Sequence, residues 1–351
     1  LFLFLEFFLL FIFSVLDLVL FYIFFESVLI PMFLIIGIWG SRERKIKASY
    51  FFFIYTLLGS LVMLLGILLI LFETGTTNFF ILTSYEFSLD RQLLLWLMFF
   101  ISFAVKVPVV PFHIWLPEAH VEAPTVGSVI LAGVLLKLGV YGLVRFSFVL
   151  FPYANTYFTP FVYVISIISI LYSSLTTIRQ IDLKRIIAYS TCSQLGYMFL
   201  ACGLNGYSFS LYHLTNHAFF KALLFLSAGS IIHAMFDEQD MRRFGGLINF
   251  LPFTYLCILV GSLAIMGFPF LTGFYSKDLV LELAYSRYMI DGSFIYFLGV
   301  SSAFFTAVYS IRLILFVFFY ESNSFRIFFS SHESEGFMLL SMVILLLASI
   351  F

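Results

Sequence analysis

The chain has 351 residues, of which 62% are hydrophobic and 11% are charged, and its formal net charge at pH 7 is -1. The near-neutral charge argues against a nucleic-acid partner, and the apolar composition excludes an ordinary soluble domain. Stretches close to the roughly 20 apolar residues that a helix needs to cross a bilayer recur along the chain. These features predict an integral membrane protein whose main surroundings are the lipid bilayer.

About ten to eleven membrane segments are predicted from the apolar runs and the turn residues between them. In chain order they cover 1–16, 17–38, 50–72, 92–120, 124–148, 158–177, 185–204, 207–235, 250–287 and 293–319, with a shorter segment from 337. The chain opens at Leu1 instead of a methionine and runs directly into LFLFLEFFLLFIF, without a charged leader or a cleavage site. We therefore expect a fragment, or a chain that lacks its natural start.

The connecting segments alternate in charge along the chain. One side holds Arg42, Arg44, Lys45, Lys47, Arg179, Lys184, Arg185, Arg242, Arg243 and Arg326. The other side holds Arg91, Arg145 and Arg287. By the positive-inside rule the first set faces the cytoplasm, or the matrix of a mitochondrion, which supports the predicted number of helices. We interpret the charges at 42–47 and 237–243 as solvated loop faces.

Two predicted segments are too long for one crossing and contain helix-disrupting residues. Proline removes a backbone donor and clashes with the preceding turn, so both segments are expected to be discontinuous helices. Segment 92–120 contains Pro108, Pro111 and Pro117, and segment 250–287 contains Gly267, Pro269 and Gly273. The two breaks take corresponding places in two successive five-helix repeats, as in transporter folds with an ion site near the bilayer midplane.

The expected organisation is a leading transmembrane helix at 1–16, a first repeat at 17–150, a second repeat at 151–288 and trailing, truncated helices at 289–351. The predicted fold class is an all-α polytopic membrane protein. Three cysteines, Cys192, Cys202 and Cys257, form no CxxC pair, so we expect packed, reduced thiols without a structural disulfide.

Five ionisable residues lie inside apolar runs, where a charge is costly. They are Glu26, Lys106, Lys137, Lys221 and Lys277. Ionisable side chains within membrane segments usually face the bundle interior or a hydrated cavity and mark a proton or ion path. Lys106 lies two residues before the first proline break, and Lys277 follows the second break. A helix break frees backbone groups that can hold a charged side chain, so the breaks and these two lysines are expected to act together.

His213, His217 and Lys221 follow one another at a spacing of four residues, which lines them along one face of a helix. Histidine titrates near neutral pH and can accept a proton on one ring nitrogen while releasing one from the other. The spacing therefore favours a proton relay. The HxxxH pair is also compatible with a metal, but no Glu or Cys completes a site and no HExxH motif is present, so no metal is expected.

Several other ionisable residues lie close to the two breaks. His113, Glu118, His120 and Glu122 are either groups through which protons enter or residues at the membrane interface, and the sequence favours neither interpretation. Asp278 directly follows Lys277 and offers a local counter-charge, although consecutive residues of a helix do not face each other.

Long stretches around these residues resemble a known family. FFESVLIPMFLIIGIWGSRERKIKASYFFFIYTLLGS and FAVKVPVVPFHIWLPEAHVEAPTVGSVILAGVLLKLGVYGLVRF closely resemble the chain 4 subunits of mitochondrial NADH:ubiquinone oxidoreductase, respiratory complex I. From about Thr191, the stretches STCSQLGYMFLACG, YHLTNHAFFKALLFLSAGSIIHAMFDEQDMRRFGGL and GSLAIMGFPFLTGFYSKDLVLELAY resemble the chain 5 subunits instead. The switch falls within IDLKRIIAYS, which is similar in both, so the chain resembles a chimera or a fragment of these antiporter-like subunits.

The resemblance implies an antiporter-like fold of two five-helix repeats and a role for each buried charge. Glu26 and Lys106 are similar to the glutamate and lysine pair of the first half-channel, with a static buried ion pair as the alternative. Lys137 resembles the lysine that passes a proton toward the centre, with snorkelling to the interface as its alternative. Lys277 resembles the exit lysine of chain 5 subunits, at a position where chain 4 subunits carry a glutamate.

The function implied is that of a proton-translocating membrane-arm subunit of complex I in the mitochondrial inner membrane. Protons would pass from the Glu26 and Lys106 pair through Lys137 and the His213, His217 and Lys221 stripe to Lys277, driven by electron transfer elsewhere. No GxGxxG follows a strand and no cysteine cluster suits iron and sulfur. We therefore expect no cofactor in this chain, with NADH, FMN, iron-sulfur clusters and ubiquinone bound by other parts of the complex.

The expected partners are the other membrane-arm subunits and the bilayer. Two alternative functions stay open from the sequence: a free-standing cation/proton antiporter with the same fold, and a non-functional recombinant or truncated product.

Overall fold

The computed structural model describes residues 1–286, 290–321 and 332–350. Within these ranges the chain is helical and contains no named β-strand. Two residues of the alternating charge pattern, Arg287 and Arg326, lie outside the described residues.

The helices of the first half of the chain are α1 (Phe2–Ser14), α2 (Leu18–Ser27), α3 (Leu29–Trp39), α4 (Lys45–Thr74), α5 (Phe79–Thr83), α6 (Leu89–Lys106), α7 (Trp115–Glu122), α8 (Thr125–Ile130), α9 (Lys137–Gly142) and α10 (Phe148–Leu150). Two π-helical turns, Leu131–Leu135 and Leu143–Ser147, join α8, α9 and α10 into one continuous span. π-Helical turns are rare and are found frequently at functional sites.

The helices of the second half are α11 (Pro152–Arg179), α12 (Leu183–Gly203), α13 (Tyr207–Ala234), α14 (Pro252–Met266), α15 (Thr272–Tyr285), α16 (Ile290–Ile314) and α17 (Phe337–Ile350). A π-helical turn, Leu315–Phe319, extends α16.

Six spans of the described residues are long and apolar enough to cross a membrane. They are Leu18–Trp39, Lys45–Thr74, Thr125–Leu150, Pro152–Arg179, Tyr207–Ala234 and Gly292–Phe319. Shorter apolar helices occur at Phe2–Ser14, Pro252–Met266 and Phe337–Ile350. Every membrane segment predicted from the sequence has a helical counterpart, which confirms the all-α membrane fold class. The boundary before α4 was wrong by five residues, so that Lys45 and Lys47 lie on its first turn instead of in the preceding loop.

The chain folds into two compact units. The first consists of Leu1–Gly127 with Leu136–Phe161, and the second of Ser128–Leu135 with Val162–Phe351. These boundaries differ from the repeat boundaries at 17–150 and 151–288, which stay a prediction.

In the first unit, the loop before α2 pairs with the loop after α4. Leu18 N donates to Thr77 O at 3.0 Å, and Phe79 N donates to Leu16 O at 2.9 Å. Asp17, at the centre of this bridge, accepts hydrogen bonds from Val19 N and Leu20 N and so caps α2. The Thr77 hydroxyl donates to the same carboxylate at 2.7 Å.

In the second unit, the loop before α12 pairs with the loop after α13 in the same pattern. Leu183 N donates to Gln239 O at 3.0 Å, and Met241 N donates to Ile181 O at 3.2 Å. In each unit the bridge therefore joins a loop before one helical segment to the loop after the next segment, just ahead of the discontinuous helix. The two units share this local connection as well as their order of helices.

The first predicted break lies between α6, which ends at Lys106, and α7, which begins at Trp115. The Trp115 indole N–H donates to the Val105 carbonyl at 3.0 Å, and so satisfies a backbone group near the end of α6. This contact fixes the start of α7 against the end of α6.

The second predicted break lies between α14 and α15. Gly267 ends α14 in the left-handed conformation, with φ of 83°, which glycine adopts without steric cost. A Cβ added to Gly273 would lie 1.8 Å from the Ala264 carbonyl oxygen, so only glycine allows the first turn of α15 to approach α14 this closely. Both discontinuous helices are thus present where the sequence predicts them.

Candidate functional site

Lys106 is the last residue of α6, and its side chain is buried in the first unit. Only 4% of the residue is exposed, and Nζ lies 4.3 Å from the centroid of the Phe25 ring. Among the described residues, Nζ has no hydrogen-bond partner. The face of an aromatic ring attracts a cation, so Phe25 provides part of the surroundings that a charged Lys106 requires.

Glu26 follows Phe25 and interacts electrostatically with Lys106. The two side chains are not joined by a hydrogen bond in the described part of the chain, since Nζ and Glu26 Oε1 each have no partner there. Ser60 of α4 and Tyr22 of α2 also lie beside the Glu26 carboxylate. The structure therefore brings the predicted pair together as interacting neighbours and not as a hydrogen-bonded ion pair.

Lys137 is the first residue of α9 and lies two residues after the π-helical turn Leu131–Leu135. The residue is only 2% exposed. Its helix packs tightly on α6. A Cβ added to Gly139 would lie 2.9 Å from the Phe103 carbonyl oxygen and 3.3 Å from Lys106 Cβ. Because Gly139 has no side chain, the helix with Lys137 approaches α6 at the level of Lys106. A lysine that snorkels to the interface would keep its ammonium in water, whereas Lys137 is deeply buried.

The polar residues of α7 are more buried than interfacial residues would be. His120 and Glu122 are 0% and 1% exposed, and His113, in the break, is 7% exposed. Glu118 is partly buried. This burial argues against the interpretation of these residues as residues of the membrane interface.

In the second unit, the stripe on α13 is buried along its whole length. His213, His217 and Lys221 are at most 1% exposed. The ring centroids of the two histidines are 6.2 Å apart. The predicted helical face is therefore an interior face, and it places three titratable groups in series.

Lys221 contacts α12, a helix on which no site residue is predicted from the sequence. Its Nζ donates to the Ser190 hydroxyl at 2.6 Å and to the Ile187 carbonyl at 3.2 Å. The phenol of Tyr309, on α16, lies beside Ser190 and Gln194. The cluster of polar residues at 190, 191, 193 and 194, in the middle of α12, was the signal for this contact surface.

His213 contacts two different helices through its two ring nitrogens. Nε2 lies 3.2 Å from Gln194 Oε1 on α12, and Nδ1 lies 2.9 Å from Ser276 Oγ on α15. Ser276 directly precedes Lys277. The stripe on α13 is thereby connected by side-chain hydrogen bonds to the second half of the discontinuous helix.

Lys277 is 2% exposed, and its ammonium lies at the break between α14 and α15. Nζ donates to the Thr306 hydroxyl on α16 at 3.2 Å and to the Ile265 carbonyl at 3.5 Å. The ring of Tyr197 lies 5.0 Å from Nζ, measured to its centroid. Asp278, the expected local counter-charge, is partly buried and interacts electrostatically with Lys277, whereas the hydrogen bonds of Nζ go to neutral partners.

Outside the membrane spans, the loop after α13 carries ion pairs. Arg242 contacts Asp240 at 2.6 Å, and Arg243 contacts Glu238 at 2.6 Å. The side-chain hydrogen bonds from Arg242 are the main cause that holds the pKa of Asp240 below its usual value. Arg242 and Arg243 are exposed, as expected for solvated charges of a loop.

Each unit therefore contains buried amines. In the first unit Lys106 lies over a ring face beside Glu26, and in the second unit Lys221 and Lys277 donate hydrogen bonds to hydroxyls and backbone carbonyls. A buried ammonium without a directly bonded carboxylate is costly, so its charge responds strongly to any nearby charge. Among the described residues, no group of three or more His, Cys, Asp and Glu side chains is arranged to hold a metal ion.

The chain is similar to a known membrane family over most of its length. A family described as "NADH:quinone oxidoreductase/Mrp antiporter, TM" matches residues 15–306. NADH-ubiquinone oxidoreductase chain 4 of Marchantia polymorpha is 54% identical over 288 residues, which cover 80% of this chain and 57% of the relative. Chain 4 of Chondrus crispus is 50% identical over 315 residues, which cover 89% of this chain and 63% of the relative.

A chain 5 relative aligns over a similar region. NADH-ubiquinone oxidoreductase chain 5 of Acanthamoeba castellanii is 43% identical over 344 residues, which cover 93% of this chain and 50% of the relative. Chain 4 and chain 5 relatives both align on each side of Thr191, so the assignment of each half rests on its motifs. The chain spans about half to 63% of the length of these relatives.

Proposed function

Because the chain belongs to the NADH:quinone oxidoreductase/Mrp antiporter transmembrane family, we propose that it is a proton-translocating membrane-arm subunit of respiratory NADH:ubiquinone oxidoreductase. The observation that carries the proposal is the burial of three lysines, each at most 4% exposed, in or beside interrupted membrane helices: Lys106, Lys137 and Lys277. Burying these charges is costly, and the cost is difficult to explain by packing alone.

In the first unit, a change in charge near Glu26 would alter the proton affinity of Lys106. A nearby carboxylate favours the charged ammonium, and its protonation or displacement favours the neutral amine. No hydrogen bond joins the two groups in the described part of the chain, so their interaction can change without breaking one. Lys137, on the helix packed against α6, is the next amine along this unit.

In the second unit, the α13 stripe and Lys277 form a second set of proton-holding groups. Lys221 can release a proton toward the Ser190 hydroxyl, which it contacts at 2.6 Å. His213 can accept a proton on one ring nitrogen and release one from the other, because its nitrogens face Gln194 and Ser276 on different helices. Lys277 is held by Thr306 and a helix-end carbonyl, partners that accept its hydrogen bonds without cancelling its charge.

The enzymatic activity would belong to the complex. This chain would contribute proton translocation to an NADH:ubiquinone reductase, while NADH, FMN, iron-sulfur clusters and ubiquinone would be bound by other parts. Its partners would be neighbouring membrane-arm subunits, and its location would be the mitochondrial inner membrane, which it would cross several times. The names of these relatives, all of them NADH-ubiquinone oxidoreductase chains, support this proposal over a free-standing antiporter.

Two measurements test the assignment. Peptide mass spectrometry of purified inner membranes should find peptides of this chain, including one that spans Ile181 to Gly203, in the fraction with NADH:ubiquinone reductase activity. The chain alone in proteoliposomes should exchange neither sodium nor potassium for protons. Cation-dependent proton exchange by the isolated chain would favour the antiporter alternative. If peptides of this chain are absent from the fraction with NADH:ubiquinone reductase activity, the proposal is overturned.

A further inference from the structure

Ser276 links two of the predicted proton-holding residues of the second unit, since it contacts His213 and directly precedes Lys277. It is 0% exposed and lies on the first turns of α15, one residue before Lys277. Its Oγ lies 2.9 Å from His213 Nδ1, 3.2 Å from the Thr272 carbonyl oxygen and 3.4 Å from the Gly273 carbonyl oxygen.

A hydroxyl has one hydrogen to donate, so these contacts cannot all be donated by Ser276 at once. If His213 is neutral with its hydrogen on Nε2, that N–H donates to Gln194 Oε1, and Nδ1 must accept the hydrogen of Ser276. If His213 is an imidazolium, Nδ1–H donates to Ser276 Oγ. The hydroxyl then turns its own hydrogen to the Thr272 or Gly273 carbonyl, and no hydrogen bond of His213 is lost.

We propose that Ser276 is a positioning residue that transmits the protonation state of His213 to the first turn of the helix that carries Lys277. This inference rests on the proposed proton-translocating function and adds to it a specific connection between two of the proton-holding groups. The hydroxyl bonds a first-turn carbonyl of α15 when His213 Nδ1 carries a hydrogen, as it does in the imidazolium, and turns to Nδ1 when that nitrogen carries none. That turn is the part of α15 that packs against the end of α14, where Lys277 Nζ bonds the Ile265 carbonyl.

The first turn of α15 has a second connection to α13 that does not depend on the histidine. Asn216 Nδ2 donates to the Thr272 carbonyl at 3.2 Å. This contact keeps the two helices in register while the Ser276 hydroxyl changes partner. Two titratable side chains accompany His213 and Ser276: His217 lies 6.2 Å from His213 between ring centroids, and Lys277 is the residue after Ser276.

The test compares substitutions of Ser276 in the assembled complex, with NADH-driven proton transport into sealed vesicles as the measurement. Ser276→Ala removes the hydroxyl and should lower the transport rate by roughly tenfold, the effect of one hydrogen bond. Ser276→Thr keeps the hydroxyl and should retain most of the rate, whereas Ser276→Val, which has the shape of threonine without a hydroxyl, should lower it as alanine does. Equal rates for the threonine and valine variants would overturn the proposal.

A matched control is Ser227→Ala. Ser227 is 0% exposed on α13, and its hydroxyl donates to the Leu223 and Leu224 carbonyls of its own helix. Its removal should leave transport unchanged, which separates loss of the switch from loss of any buried hydroxyl.

Lys277→Met, measured beside these variants, separates failure of the inference from failure of the proposed function. If Lys277→Met abolishes transport while Ser276→Ala does not change it, the connection through Ser276 is wrong and proton translocation stands. If Lys277→Met also leaves transport unchanged, the proposed function of this set of residues is wrong.

Discussion

The ammonium of Lys277 donates a hydrogen bond to the backbone carbonyl of Ile265, the penultimate residue of α14, at 3.5 Å. The carbonyls at the end of a helix have no intrahelical partner and carry a partial negative charge, so they favour a cation. The break in this helix therefore supplies part of the environment that a buried lysine requires. In the first unit, the corresponding carbonyl of Val105, the penultimate residue of α6, accepts a hydrogen bond from the Trp115 indole at 3.0 Å instead.

The Trp115 contact predicts a measurable loss of stability. Trp115→Phe keeps an aromatic ring but leaves the buried Val105 carbonyl without this donor, which should lower stability by about 1–3 kcal/mol. Trp96→Phe is the control, because Trp96 is also fully buried and its indole nitrogen has no hydrogen-bond partner among the described residues. The thermal midpoints of the purified complexes give the comparison. Equal losses would show that ring volume, and not the hydrogen bond, is responsible.

Gly273 is expected to tolerate no side chain. In Gly273→Ala the new Cβ would meet the Ala264 carbonyl oxygen at 1.8 Å, so the first turn of α15 must move and the contacts of Ser276 and Lys277 must lengthen. We expect a loss of several kcal/mol, as for overpacking against backbone, together with loss of proton transport. Gly133→Ala is the control, since nothing lies within 4 Å of a Cβ there. A normal thermal midpoint and normal transport for Gly273→Ala would contradict this account of the break.

The two loop bridges predict different effects of removing equivalent aspartates. Asp17 accepts two backbone hydrogen bonds at the start of α2, so Asp17→Ala should lower stability by about 1–2 kcal/mol. Asp182 makes no capping hydrogen bond to the described residues of α12 and lies 3.9 Å from partly exposed Arg185, so Asp182→Ala should have a smaller effect. The thermal midpoints of the two variants show which substitution lowers stability more. A larger loss for Asp182→Ala than for Asp17→Ala would contradict this prediction.

Asp240 predicts a small pH dependence in the loop after α13. Hydrogen bonds from Arg242 hold the pKa of the folded state below the usual value of 3.8. The resulting stabilisation is present above the unfolded-state pKa and disappears as the pH falls through the folded-state pKa. Because the Arg242 side chain is exposed, solvent screening keeps this contribution small. Asp240→Asn should thus lower the thermal midpoint slightly at pH 7, and the difference from the parent protein should shrink on acidification; a growing difference would reverse the sign of this interaction.

Much of the fold follows from the sequence because membrane helices are set by local properties. Apolar length located the spans, and the glycine and proline pattern located both breaks. The loop bridges were missed, since backbone pairing between Leu18 and Thr77 joins residues that are distant in the chain and have no special side-chain pattern. The start of α4 was misplaced because Lys45 and Lys47 have the composition of a loop although they lie on its first turn.

The site was predicted in part for the same physical reason. A charged residue in an apolar run is conspicuous, so Glu26 and the buried lysines could be selected from the sequence alone. The neutral partners were not selected, because serine, threonine and tyrosine occur in many membrane helices without a special role. Only the three-dimensional structure places Ser190 against Lys221 and Thr306 against Lys277. The contact of the Phe25 ring with Lys106 likewise depends on how two distant helices pack.

The most direct test of the central claim is the number of protons moved per NADH oxidised by a complex that contains Lys106→Met. Lys47→Met serves as the control, because Lys47 is exposed on the first turn of α4. We predict that Lys106→Met assembles, since it removes a buried charge, and that its proton transport falls while the control retains the parent stoichiometry and rate. An unchanged proton stoichiometry and an unchanged rate of NADH oxidation in the Lys106→Met complex would contradict the account.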